Sequence, residues 1–171
     1  MRFLISLWFL IKLKYSLHQK RYEAAEALCR HAIARRPRSA ILHESLSKVL
    51  ARRGNWQEAI REQRLTISLS PSSSIVDYST LVDLLLAAGE FAQACSEAEK
   101  LLNLSESVGQ PRRSMYQFVG QKGLAWSSFG LGDYARAKDA FQALVVMSSG
   151  SSRKQLAEMI AQCEERLAWL K

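Results

Sequence analysis

The sequence predicts an all-α chain of repeated helical hairpins closed by one further helix. Three observations carry this. Four segments, KRYEAAEAL from Lys20, GNWQEAIRE from Gly54, GEFAQACSE from Gly89 and GDYARAKDA from Gly132, align with one another. Their aromatic residues Tyr22, Trp56, Phe91 and Tyr134 fall 34, 35 and 43 residues apart, and ~34 residues is the length of two short helices with two turns. Leucines spaced by four, such as Leu46 and Leu50 or Leu81 and Leu85, precede the aligned segments and mark a helical face.

The chain opens MRFLISLWFLIKLKYSLHQ, apolar from Phe3 to Ile11 except at Ser6. At ~1.5 Å per residue this run reaches only ~13 Å, short of the ~30 Å hydrocarbon layer. No small-residue cleavage site follows it, as an export signal would require. Residues from about Ser6 to His18 therefore read as the first helix of the first hairpin, with Leu10, Leu13 and Leu17 as its stripe. Strict phasing turns Lys12 and Ser16 inward, so a one-residue register slip is expected here.

Tyr22 and Ala25 open the next helix, and Pro37 closes it because proline cannot continue the hydrogen-bond ladder. The second hairpin turns at Gly54-Asn55-Trp56 with Ala59 and closes at Pro71; the third turns at Gly89-Glu90-Phe91 with Ala94. A nine-residue insertion at SESVGQPRRS, Ser105 to Ser114, reads as a longer loop before the fourth hairpin, which carries Leu124 and Phe129 before Gly132-Asp133-Tyr134 and Ala137. The tail SRKQLAEMIAQCEERLAWL is expected as one amphipathic helix. Ser152 and Gln155 would form its capping box; Leu156, Ile160, Cys163 and Leu167 its packed face; Arg153, Glu164 and Glu165 its polar outer side.

With these residues the chain resembles the tetratricopeptide repeat family, over roughly Ser6 to Ser149. The family pattern places glycine, an aromatic and alanine around the turn between its two helices. The resemblance implies a right-handed α-solenoid of about four hairpins, at about 6–39, 40–73, 75–108 and 118–151, with a capping helix at 152–170, in a single domain 1–171. The sequence departs from the pattern at several positions. His43 and Gln121 stand where the family often has a large apolar residue, Lys20 replaces the first turn glycine, and the closing proline is missing at Glu106 and Ser149.

Charge is uneven. Through Ser73 there are 14 Lys and Arg against 5 acids; beyond it, 10 against 11, for a net of +8. An acidic partner or an anionic membrane gains from such a basic half. Nucleic acid is disfavoured, because no aromatic stacking platform is interleaved with the charges. Cys29, Cys95 and Cys163 form no CxxC pair, and the three histidines lack metal-ligand partners at helical spacing, so no disulfide framework, metal or cofactor is expected. No phosphate-binding glycine loop, HExxH or GxSxG is present, and an enzyme is not expected.

The resemblance implies a non-catalytic protein–protein interaction module or scaffold that holds a partner polypeptide in a concave groove lined by the first helices. By phase, groove residues would be Lys14; Glu44, Lys48 and Arg52; Asp83 and Leu86; and Lys122, Trp126 and Phe129, with Trp126 and Phe129 as aromatic anchors. The Lys and Asn clamp of members that bind acidic chaperone tails is missing, since the matching positions carry Leu10, Lys14, Ser45, Lys48, Val76 and Thr80. A cytoplasmic location follows from these expectations. The alternative is an adaptor peripheral to the cytoplasmic face of a membrane, contacting it through Phe3 to Ile11; a homodimer is compatible with either.

Overall fold

A computed structural model describes residues 2–70 and 74–170, without the side chains of residues 2–8 and 10. Among the described residues there are nine helices and no strand: α1 Arg2–His18, α2 Tyr22–Arg35, α3 Ala40–Arg52, α4 Trp56–Leu69, α5 Ile75–Ala87, α6 Phe91–Ser107, α7 Arg112–Leu131, α8 Tyr134–Met147 and α9 Ser151–Trp169. The fold class is all-α, as the sequence predicts. The chain forms two compact units, Met1–Leu84 and Leu85–Lys171, with α5 passing from one to the other.

One backbone device recurs at every turn inside a hairpin. The amide of Gly54 donates to the Ala51 carbonyl and that of Asn55 to Leu50; Gly89 and Glu90 bond Leu86 and Leu85, and Gly132 and Asp133 bond Phe129 and Ser128. This is the Schellman arrangement, which satisfies the last carbonyls of a helix and requires a left-handed residue at its end. The turn glycines supply it, with φ of +79° at Gly54, +75° at Gly89 and +81° at Gly132. In the first hairpin Lys20 bonds Leu17, Arg21 bonds Ser16, and Lys20 itself takes φ of 54°. The backbone of the first turn therefore sits in phase with the others. Phe9 and Leu13 are buried, while Lys12 stays exposed and Ser16 half-buried.

Behind each turn the second helix starts in the same way. The amides of Ala25, Ala59, Ala94 and Ala137 bond the carbonyls of Arg21, Asn55, Glu90 and Asp133. All four alanines are fully buried, so the paired helices approach closely. In the first unit the core continues through Cys29, Leu46, Val49, Leu50, Val82 and their neighbours. Ser47 is fully buried too, and its hydroxyl donates across to the Ala59 carbonyl at 2.9 Å. Helix α5 opens with a capping box: the Ser74 amide bonds the Asp77 carboxylate at 2.9 Å, and the Asp77 amide bonds the Ser74 hydroxyl at 3.4 Å.

In the second unit the insertion is not a long loop. It is absorbed by helix extension: α6 runs 17 residues and α7 runs 20, against 14 for α4 and 13 for α3. Extension satisfies backbone groups internally, where a loop would leave them to solvent or side chains. Small residues let the extended helices close up. A Cβ on Gly120 would lie 2.7 Å from Leu102 Cγ and 3.1 Å from the Ala98 carbonyl, and one on Gly130 would lie 2.6 Å from the Phe91 ring.

A core of Ala125, Ala137, Ala140, Phe141, Leu144 and Cys163 joins α7, α8 and α9. Leu156 and Ile160 pack on it, as the α9 pattern predicts. The capping box at Ser152 and Gln155 does not form. Gly150, at φ of 60°, is the N-cap, so Ser152 lies one residue inside the helix, and the Arg153 guanidinium instead donates to the Ser148 carbonyl at 2.7 Å.

Candidate functional site

Much of the charge in the first unit is held internally. Glu26 accepts from Arg30 at 2.9 Å and also from Arg53; Arg30 reaches Glu58 at 2.7 Å, and Arg53 pairs with Glu23 at 3.3 Å. This network ties α2 to the end of α3 and the start of α4. Burial disfavours the Glu26 charge, but its bonds to Arg53 and Arg30 outweigh that and hold its pKa below the usual carboxylate range. Arg30 and Arg53 thus act within the fold, whereas Lys14, Lys20, Arg21, Arg35, Arg38 and Arg52 are exposed.

His43 explains one departure from the repeat pattern. It is 7% exposed, with Nδ1 2.6 Å from the Glu62 carboxylate on α4 and Nε2 2.9 Å from the Pro37 carbonyl. Both partners only accept, so both ring nitrogens must donate, which only the imidazolium can do. Burial opposes that charge; Glu62 and the Pro37 carbonyl overcome it and raise the pKa above the usual value. A position that commonly holds an apolar wedge holds instead a charged clamp between helices.

The expected groove residues divide between the units. In the first, Lys14 and Arg52 are exposed, Glu44 and Lys48 pair with each other one turn apart, and Asp83 is exposed with an interaction partner of its own. In the second, Leu86 is half-buried and Lys122 is half-buried and engaged. Trp126 meets the Phe141 ring edge to face at 5.3 Å yet remains 39% exposed. Phe129 packs against the core and meets Tyr134 at 5.4 Å, so it serves mainly to seat α7.

The early start of α7 adds two residues that the sequence reading passed over. Met115 is 48% and Phe118 41% exposed. At 3.6 residues per turn, Met115, Phe118, Lys122, Trp126 and Phe129 fall within an arc of about 80°. The signal was present in the sequence: the helical spacing continues upstream of Lys122 through Phe118 to Met115, just after Pro111. The expected loop, Ser105 to Ser114, ends just before this stretch, and starting the fourth hairpin at about 118 left Met115 out.

Of the apolar N-terminal stretch, Phe9 is buried and Ile11 is 58% exposed; the side chains of Phe3 to Trp8 and of Leu10 lie outside the described residues. Among the described residues, no helix is long and apolar enough to cross a membrane.

Residues 14–74 match the family described as Tetratricopeptide repeat. Over that segment the chain is similar to tetratricopeptide repeats. The two hairpins beyond the matched segment use the same Schellman turn and the same buried alanine as those within it. No curated protein matches the sequence. Tetratricopeptide repeats generally mediate protein–protein interaction and are typically non-catalytic scaffolds.

Proposed function

We propose that the chain is a non-catalytic interaction module that holds a partner polypeptide against the first helices of its repeats, with the α7 face of the second unit as the main contact. The observation that carries this is the stripe Met115, Phe118 and Trp126, all exposed on one face of α7 beside Lys122. Large apolar side chains left in water on one helical face are the surface an apolar partner segment covers, and aromatics are the residue type that dominates interface energies. The exposed cations Lys14 and Arg52 support, separately, an acidic contact on the first unit.

The test compares affinity capture by the wild-type chain with capture by a Phe118→Ala, Trp126→Ala variant, quantified by mass spectrometry. Selective loss of a small set of captured polypeptides, by about tenfold, is the expected result. An unchanged set removes the α7 face from this reading.

A further inference from the structure

Two departures from the repeat pattern converge in the second unit. Glu106, where a closing proline is usual, and Gln121, where a large apolar residue is usual, line the same open cavity of about 390 Å³. Its other walls are Leu102 and Ser105 of α6, Gln117 of α7, and Ala143 and Met147 of α8. On α7 this side lies away from the Trp126 stripe: at 3.6 residues per turn, Gln121 points about 140° and Gln117 about 180° from Trp126.

The lining is graded. Ser105 is buried at 3% exposure, and its hydroxyl donates to the Leu102 carbonyl at 2.6 Å, so its oxygen can still accept. Leu102, Ala143 and Met147 give apolar walls, while Glu106 stands exposed at the rim. Among the described residues the Glu106 carboxylate has no ion pair, and the Gln117 and Gln121 amides have no hydrogen-bond partner. Arg113 does not fill that role. Its guanidinium closes the last turn of α6 by donating to the backbone carbonyls of Val108 at 3.2 Å and Glu106 at 3.4 Å.

We propose that this cavity accepts one basic side chain, arginine or lysine, from a partner polypeptide. This rests on the interaction-module reading and gives it a second contact of defined chemistry. The aliphatic stem lies against Leu102, Ala143 and Met147, and the cationic head meets the Glu106 carboxylate and the amide oxygens of Gln117 and Gln121. A carboxylate accepts only, and charge-assisted bonds to a guanidinium are the strong ones. An anionic ligand head would face Glu106, and a purely apolar ligand would leave the three polar groups unpaired. The volume lies at the small end of ligand sites, which suits one long side chain.

The test titrates n-butylguanidinium into the full chain carrying ¹³C-methyl methionine, at constant ionic strength, with hexanoate as the anionic comparison. The expected result is a saturable shift of the Met147 methyl resonance and of the Gln117 and Gln121 side-chain amides, with Met115 and Met159 unmoved. Hexanoate causes none. Glu106→Gln weakens the response at least about fivefold, and Gln121→Trp, which fills the cavity, removes it. Should Gln121→Trp not fold, Glu106→Gln decides alone, because its side chain is exposed. No saturable shift, an equal shift with hexanoate, or an unchanged response in Glu106→Gln overturns the proposal. The probe needs no partner, so a negative titration removes the cavity site and leaves the α7 face to the capture experiment.

Discussion

Replacing Gln63 by Met should stabilise the first unit. Gln63 is fully buried, four residues after Ala59, in the slot that holds Cys29, Ala98 and Phe141 in the other hairpins, all likewise fully buried. Its Nε2 donates to the Asp77 carbonyl at 3.0 Å, but among the described residues its Oε1 has no partner. An unsatisfied buried acceptor costs about 1–3 kcal/mol, while the lost bond to Asp77 is worth about 0.5–1.5 kcal/mol. Met matches Gln in length and leaves no cavity. The net expectation is a gain of about 1 kcal/mol, or about 2–4 °C in Tm for a chain of this size. Urea unfolding followed by far-UV circular dichroism measures it. A loss of about 1 kcal/mol or more would refute the reasoning and show that Oε1 is satisfied in solution, for instance by a buried water.

Three further outcomes follow from the geometry. The His43 pKa is raised in the folded chain, so the clamp contributes fully below about 6.5 and its contribution is lost as pH rises through the folded value. A proton NMR titration should place His43 above 6.5, and Glu62→Gln should lower it and flatten the decline of stability at alkaline pH. Gly120→Ala forces a Cβ to within 3.1 Å of the Ala98 carbonyl, which cannot turn aside as Leu102 can; a loss of about 1–2 kcal/mol is expected in thermal melts, with Gly109→Ala, which meets nothing within 4 Å, near neutral. Lys20→Gly relieves the left-handed backbone at φ of 54° and should add about 0.5–1 kcal/mol in urea unfolding, after the greater freedom of glycine in the unfolded chain is counted.

The hairpin framework was legible in the sequence because its determinants are local. A left-handed turn residue, an aromatic two positions on and a small residue three further on sit within one short window, and each of the four windows folds alike. Lys20 shows the strength of the pattern: it adopts the glycine conformation and keeps the turn backbone in phase, while Leu13 rather than Lys12 is buried before it. What the sequence hid was longer in range. The nine extra residues read as a loop because Gly109 and Pro111 stand among them, yet Pro111 is tolerated at the N-cap of α7, and extending α6 and α7 keeps their backbones bonded. That extension exposes Met115 and Phe118.

Polar residues at core positions were visible as departures, but their partners were not. Nothing near His43 in sequence points to Glu62, nineteen residues away, and Gln121 meets Glu106 only across a cavity. Of the groove positions read by phase, Lys14, Arg52 and Trp126 are exposed, whereas Phe129 is partly buried against the core and Glu44 and Lys48 satisfy each other. Phase finds the face of a helix; the packing of its neighbours decides how much of that face is free.

The most direct measurement of the partner-holding role is site-specific photocrosslinking in cells, with the reactive residue placed at Phe118 on the α7 face and, for comparison, at Gln142, an exposed residue of α8. A discrete crosslinked polypeptide from Phe118, lost when Trp126 is changed to Ala and missing from Gln142, is the expected result. Equal crosslinking from both positions, or none from Phe118, would contradict it.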